Sequence, residues 1–139
     1  MDGRAFLHSS RILLNSPSEE NRRSAVGRAY YALLHEGRVK LDLWGFPLPP
    51  RENIHTFVRL RFTFPTHPDL KWVGDALEEL GLLRNQTDYR LSTPGRFASD
   101  RDALWAVQLS QDAIDILDTI DADAARRTAA VAAIRAAWP

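Results

Sequence analysis

Apolar positions recur along this chain with the α-helical period; glycine and proline mark the breaks, and no alternating strand-like run or fixed-period repeat interrupts them. A first helix is predicted over about residues 3–15, with Phe6, Ile12 and Leu13 on one side. The second opens at Ser16-Pro17-Ser18-Glu19, where Ser16 suits the N-cap, Pro17 the first turn and Glu19 the reciprocal capping position. It should run to about Leu43 and stop at Gly45, with Pro47, Pro49 and Pro50 preventing continuation. A third helix is predicted over about residues 50–62. Pro68 in a first turn, behind Thr66 or His67, opens a fourth, which reaches about Gln86 through Val73, Ala76, Leu77, Leu80 and Leu83. After a break at Leu91-Ser92-Thr93-Pro94-Gly95, Ser99 is the expected cap of a fifth helix. Its apolar face is Ala103, Ala106, Val107, Ser110, Ala113, Ile114 and Leu117. The last segment, about residues 123–138, carries a narrow stripe of Val131, Ile134 and Trp138. It either continues the fifth helix or packs separately, on its own domain or on a second copy.

This pattern predicts an all-α, antiparallel up-and-down bundle of five or six helices, forming one domain over residues 1–139. The second helix is expected at its centre. Trp44, Trp72, Trp105 and Trp138 are expected to be at least partly buried.

Projection at about 100° per residue puts Val26, Ala29, Tyr30, Leu33, Leu34, Gly37 and Leu41 on one side of the second helix. Ala25, Ala32, Val39 and Leu43 flank that side. The opposite side aligns Arg28, Tyr31, His35, Arg38 and Asp42, either as a solvated face or as the wall of a cleft. Tyrosine and histidine among the arginines favour a cleft, because imidazole exchanges protons near neutral pH. On the fourth helix the apolar stripe ends in Arg84, with Asp88 one turn further. A buried guanidinium without an acceptor costs several kcal/mol in effective terms. Arg84 is therefore either paired with Asp88 at the bundle end or open to a water-filled cleft. In a cleft, Arg84, Asp88 and Tyr89 supply a fork, a carboxylate and a stacking ring suited to the phosphate group of RNA or a nucleotide.

Composition narrows the chemistry further. The absence of cysteine excludes a disulfide framework, a thiolate nucleophile and a cysteine zinc site. No window approaches the ~20 apolar residues of a membrane span, and the amino terminus lacks the pattern of a signal peptide, so a cytoplasmic protein without membrane partners is expected. Formal net charge is +0, so only a local patch can attract nucleic acid. Arginine supplies nearly all the positive charge, the only lysines being Lys40 and Lys71. That bias suits phosphate recognition, and it equally suits a compositional preference of the source genome. His8 and His67 look like surface or turn residues, whereas His55 on the third helix can face the bundle. The His-Glu-x-x-His spacing is absent and no Gly-rich phosphate loop is present, so neither a metal nor another cofactor is expected.

The run Ser24-Ala25-Val26-Gly27-Arg28-Ala29-Tyr30-Tyr31-Ala32-Leu33-Leu34-His35 resembles the Arg-Ala-Tyr-Tyr-Ala helix of the HEPN superfamily, in its short stand-alone prokaryotic branch. Leu83-Arg84-Asn85-Gln86-Thr87-Asp88-Tyr89 resembles that branch's Leu-Arg-x-x-x-Asp-Tyr segment, and His55 fits the usual layout between the two. The likeness extends over about residues 5–120 and leaves the terminal helix outside. It implies an antiparallel bundle, often a homodimer, that binds RNA or nucleotides and in some members cleaves RNA without a metal. Many such proteins act beside a nucleotidyltransferase in toxin-antitoxin or defence systems.

With the polar stripe, the resemblance gives Arg28, Tyr31, Arg38, Arg84, Asn85, Asp88 and Tyr89 as the candidate binding set. HEPN nucleases follow the arginine with a histidine after roughly four to six residues, but here those slots hold Tyr89, Arg90 and Leu91. A metal-free ribonuclease needs a proton acceptor, a proton donor and a cation for the developing phosphorane charge, and Arg84 supplies only the cation. His35 and His55, on other helices, are the candidate acid-base groups. Two expectations follow: an RNA- or nucleotide-binding module acting beside a nucleotidyltransferase, or a metal-independent endoribonuclease.

Overall fold

A computed structural model of the chain describes residues 2–16, 18–89 and 99–138, with the side chains of Asp88 and Tyr89 outside the description. Six helices follow one another: α1 (Gly3–Leu14), α2 (Glu19–Leu43), α3 (Ile54–Thr63), α4 (Pro68–Tyr89), α5 (Arg101–Ala122) and α6 (Ala124–Ala137). Among the described residues there is no strand, and the molecule is the all-α bundle expected. None of these helices is long and apolar enough to cross a membrane.

Helix α2 is the hub, in contact with α1, α3, α4 and α5. Its predicted apolar side from Val26 to Leu41 is buried throughout. The flanking positions divide: Ala25 and Ala32 are buried, whereas Val39 and Leu43 lie on the solvent side and Leu43 is 68% exposed. The cap of α2 is Ser18, whose Oγ accepts from the Asn21 backbone N–H, and not Ser16. Ser16 instead offers its carbonyl to the Asn21 side-chain amide. The placement of Pro17 in the first turn falls outside the described residues, as does the break at residues 91–95. At the other end, Gly45 at φ 97 ends the helix as a C′ residue, with Gly45 N–H donating to Asp42 O and Phe46 N–H to Leu41 O.

Three further differences have local causes. Helix α1 buries Gly3, Leu7 and Ser10, and Ile12 is 55% exposed. Small residues face α2 here because the backbones come close: a Cβ on Gly3 would lie 2.5 Å from the Ala32 carbonyl oxygen, and Ser10 Oγ donates to Ala25 O. Helix α3 starts at Ile54 because Asn53 caps it through the Thr56 N–H. Helix α5 is preceded by Asp100, and Ser99 Oγ accepts only a long bond from Arg101 N. The predicted face of α5 is buried at every position, and Ser110 Oγ donates to Ala29 O of α2.

The chain breaks after α5 at Asp123, which caps α6 through the Arg126 N–H, so α6 is a separate helix. It packs on its own domain. Ala130 and Ile134 are buried, and the Trp138 ring stacks on Phe64 at 5.6 Å with Arg61 at 4.3 Å from its centre. Trp44 is also buried, and its indole N–H donates to Asp121. Trp72 and Trp105, expected to be at least partly buried, are 41% and 44% exposed.

Candidate functional site

Adjacent residues of a helix point about 100° apart, so Tyr30 and Tyr31 turn toward different neighbours from one stretch of α2. Tyr30 is buried against α3, and its hydroxyl lies 2.6 Å from His55 Nδ1 with the two ring planes 2° apart. Tyr31 is half-buried one turn before His35, their rings 6.3 Å apart. His35 in turn stacks on Phe6 of α1 at 5.4 Å. A row of rings thus crosses the bundle from α1 over α2 to α3.

Arg84 enters this row from α4. Its guanidinium carbon lies 5.6 Å from the centre of the Tyr30 ring and 5.1 Å from that of Tyr31, within the reach of cation-π attraction. Arg84 lines an opening of about 420 Å³ together with Tyr30, His55, Arg59, Gly81 and Asn85 among others. The alternative pairing with Asp88, and the placement of Asp88 and Tyr89 in the binding set, fall on side chains outside the described residues.

Burial, and after it the charges of Arg84 and of His35, holds the His55 pKa below the usual imidazole range. His35 is lowered as well, by burial and then by Arg38. Tyr30 is raised by burial, with Arg84 pulling the other way. Both shifts favour the neutral imidazole, and that of Tyr30 favours the protonated phenol.

The rest of the predicted stripe divides. Arg28 is exposed, bonds to Ser9 Oγ, and lines a second hollow of about 360 Å³ with Ser24, Gly27, Tyr31 and Thr87. Arg38 is half-buried near His35, and Asp42 is exposed. Of the two candidate acid-base histidines, His55 shares the cleft with Arg84, whereas His35 stands behind Tyr31 against Phe6. Among the described residues no three histidine or carboxylate side chains converge to hold a metal ion.

Two residues of the cleft escape a reading of the sequence. Tyr30 reads as a core position, yet a phenol on an apolar stripe requires a partner for its hydroxyl, and that requirement was the available clue. Arg59 stands one turn after His55 on α3 and carries a second cation to the cleft, 3.9 Å from Glu78. Its i,i+4 spacing from His55 was the only trace of it. Fold and site together define a helical bundle with an arginine-tyrosine-histidine cleft. Comparison with known protein families, curated proteins and solved structures finds no match to this chain.

Proposed function

We propose that the Arg84 cleft binds the phosphate of an RNA strand or a nucleotide, and that the chain is an HEPN-type helical component acting beside a nucleotidyltransferase in a toxin-antitoxin or defence system. One observation carries the binding reading: a guanidinium set over two tyrosine rings lines a cleft shared with a second arginine, an amide and an imidazole. Arg84 and Arg59 offer forks to phosphate oxygens. The cleft volume of about 420 Å³ falls in the small-ligand range. The same residues, Tyr30-Tyr31 on α2 and Arg84-Asn85 on α4, carry the resemblance to HEPN proteins.

Binding is better supported than cleavage, because Arg84 is not followed by the histidine of the nuclease pattern. When the Tyr30 phenol donates to His55 Nδ1, the other ring nitrogen carries the hydrogen. His55 can then donate to a phosphate oxygen; with the hydrogen on Nδ1 the roles reverse, and the other nitrogen can accept the proton of a 2′-hydroxyl. The endoribonuclease reading is kept alive by the presence of that neutral imidazole in the same cleft as Arg84.

Isothermal titration with a short single-stranded oligoribonucleotide and with a nucleoside monophosphate, in excess EDTA, tests both readings. Binding is expected, weakened about 10- to 100-fold in Arg84→Gln because a charge-assisted bond is lost. The RNA is expected to remain intact. Cleavage in EDTA that disappears in His55→Asn would assign the endoribonuclease, and failure to bind either ligand would overturn both readings. Homodimerisation belongs to the same proposal and is read by light scattering as the mass of two chains.

A further inference from the structure

Trp72 on α4 and Trp105 on α5 line a separate groove of about 390 Å³, with Ala76 and Leu109 as its floor and Asp75 and Glu79 on the α4 side. It uses a different set of α4 residues from the Arg84 cleft. Single exposed apolar residues are ordinary on a protein surface, but two tryptophans sharing one groove, 41% and 44% exposed, form a patch of the kind that marks an interface. Tryptophan is also the side chain most enriched among residues that dominate binding energy.

The charge lining the groove decides what fits. Asp75 and Glu79 form no ion pair among the described residues. The nearest cation along the chain, Lys71, turns away and donates to Thr63 O. Among the described residues the groove therefore presents two carboxylates, two indole faces and no positive side chain. Phosphate is repelled by such a lining, whereas an arginine or lysine gains from both components, pairing with a carboxylate and lying over an indole.

We infer that this groove docks a basic amphipathic helix of a partner protein, with cationic side chains between the indoles and Asp75 and Glu79, and aliphatic side chains against Ala76 and Leu109. A groove between two packed helices suits such an occupant, whose apolar anchors recur on one face. The inference does not depend on what the Arg84 cleft binds.

The test uses the full chain and a labelled synthetic helix carrying leucines at i, i+4 and i+7 flanked by arginines, with a twin in which glutamates replace the arginines. Anisotropy should report binding of the arginine helix together with a shift in tryptophan emission, and the twin should bind at least about tenfold more weakly. Trp105→Ala and Glu79→Arg should each weaken binding by about tenfold or more at unchanged melting temperature. Should Trp105→Ala destabilise the fold, Glu79→Gln makes the same comparison without touching the ring. Absence of binding, or binding indifferent to these substitutions, overturns the inference. A wild-type dimer that Trp105→Ala dissociates would give the groove to a second copy and overturn it too. Loss of RNA binding without loss of helix binding would affect only the function proposed for the cleft.

Discussion

At the scale of single residues, the chemistry rests on how Arg84 biases its neighbours. Its charge helps keep His55 neutral and partly offsets the effect of burial on Tyr30. Removing that charge in Arg84→Gln should therefore raise the pKa of both groups, the first visible as an upward shift in the NMR titration of His55. A shift in the opposite direction would mean that the guanidinium does not act on the imidazole. The same burial couples pH to stability. His35 and His55 have folded-state pKa values below the ordinary imidazole value of 6.5, so the unfolded chain takes up protons first as pH falls. Stability should be complete above that value and decline as pH falls through it toward the folded-state values. Urea midpoints at pH 7.5 and 5.5 measure the decline, which should shrink in His55→Gln.

At the scale of elements, small residues decide how closely α1 approaches α2. A Cβ at Gly3 would meet Ala32 O at 2.5 Å and Glu36 Cγ at 2.7 Å, so Gly3→Ala must push the helices apart. The expected cost is about 1–3 kcal/mol in urea unfolding, and an unchanged midpoint would show that α1 can shift freely. This seam also explains what was legible in the chain. Wide apolar stripes such as those of α2 and α5 announce their buried faces, because burial of large side chains fixes their orientation. Helix α1 does not, since its contact face is Gly3, Leu7 and Ser10, and two of these add no hydrophobic signal. Caps shift by a residue or two where several serines or asparagines compete, as Ser16 and Ser18 do before α2. In the cleft, Arg84 stands out because it interrupts an apolar stripe on its own helix. Its meeting with Tyr30, Tyr31 and His55 joins three helices, and no spacing within one helix encodes that.

At the scale of the whole molecule, the bundle separates fastening from recognition. Near the C-terminal end of α2, Arg4, Lys40 and Trp44 bind Asp118 and Asp121 and tie α1, α2 and α5 together. Trp138, Phe64 and Arg61 hold α6 against the end of α3. The Arg84 cleft uses none of these ties, and the guanidinium stands at the edge of the core over two rings. Loss of a partly exposed cation-π contact costs about 1 kcal/mol, whereas loss of a buried ion pair costs roughly 3–5 kcal/mol, so the stability of Arg84→Ala separates a binding role from a fastening one. Thermal melting of wild type and Arg84→Ala, each with and without a short single-stranded RNA, separates the two cases in one experiment. A ligand that binds only the folded state raises its melting temperature. The cleft predicts near-equal melting temperatures without RNA and a rise on adding RNA in wild type alone. A variant that melts far below wild type, beside a wild type that RNA leaves unmoved, would contradict it.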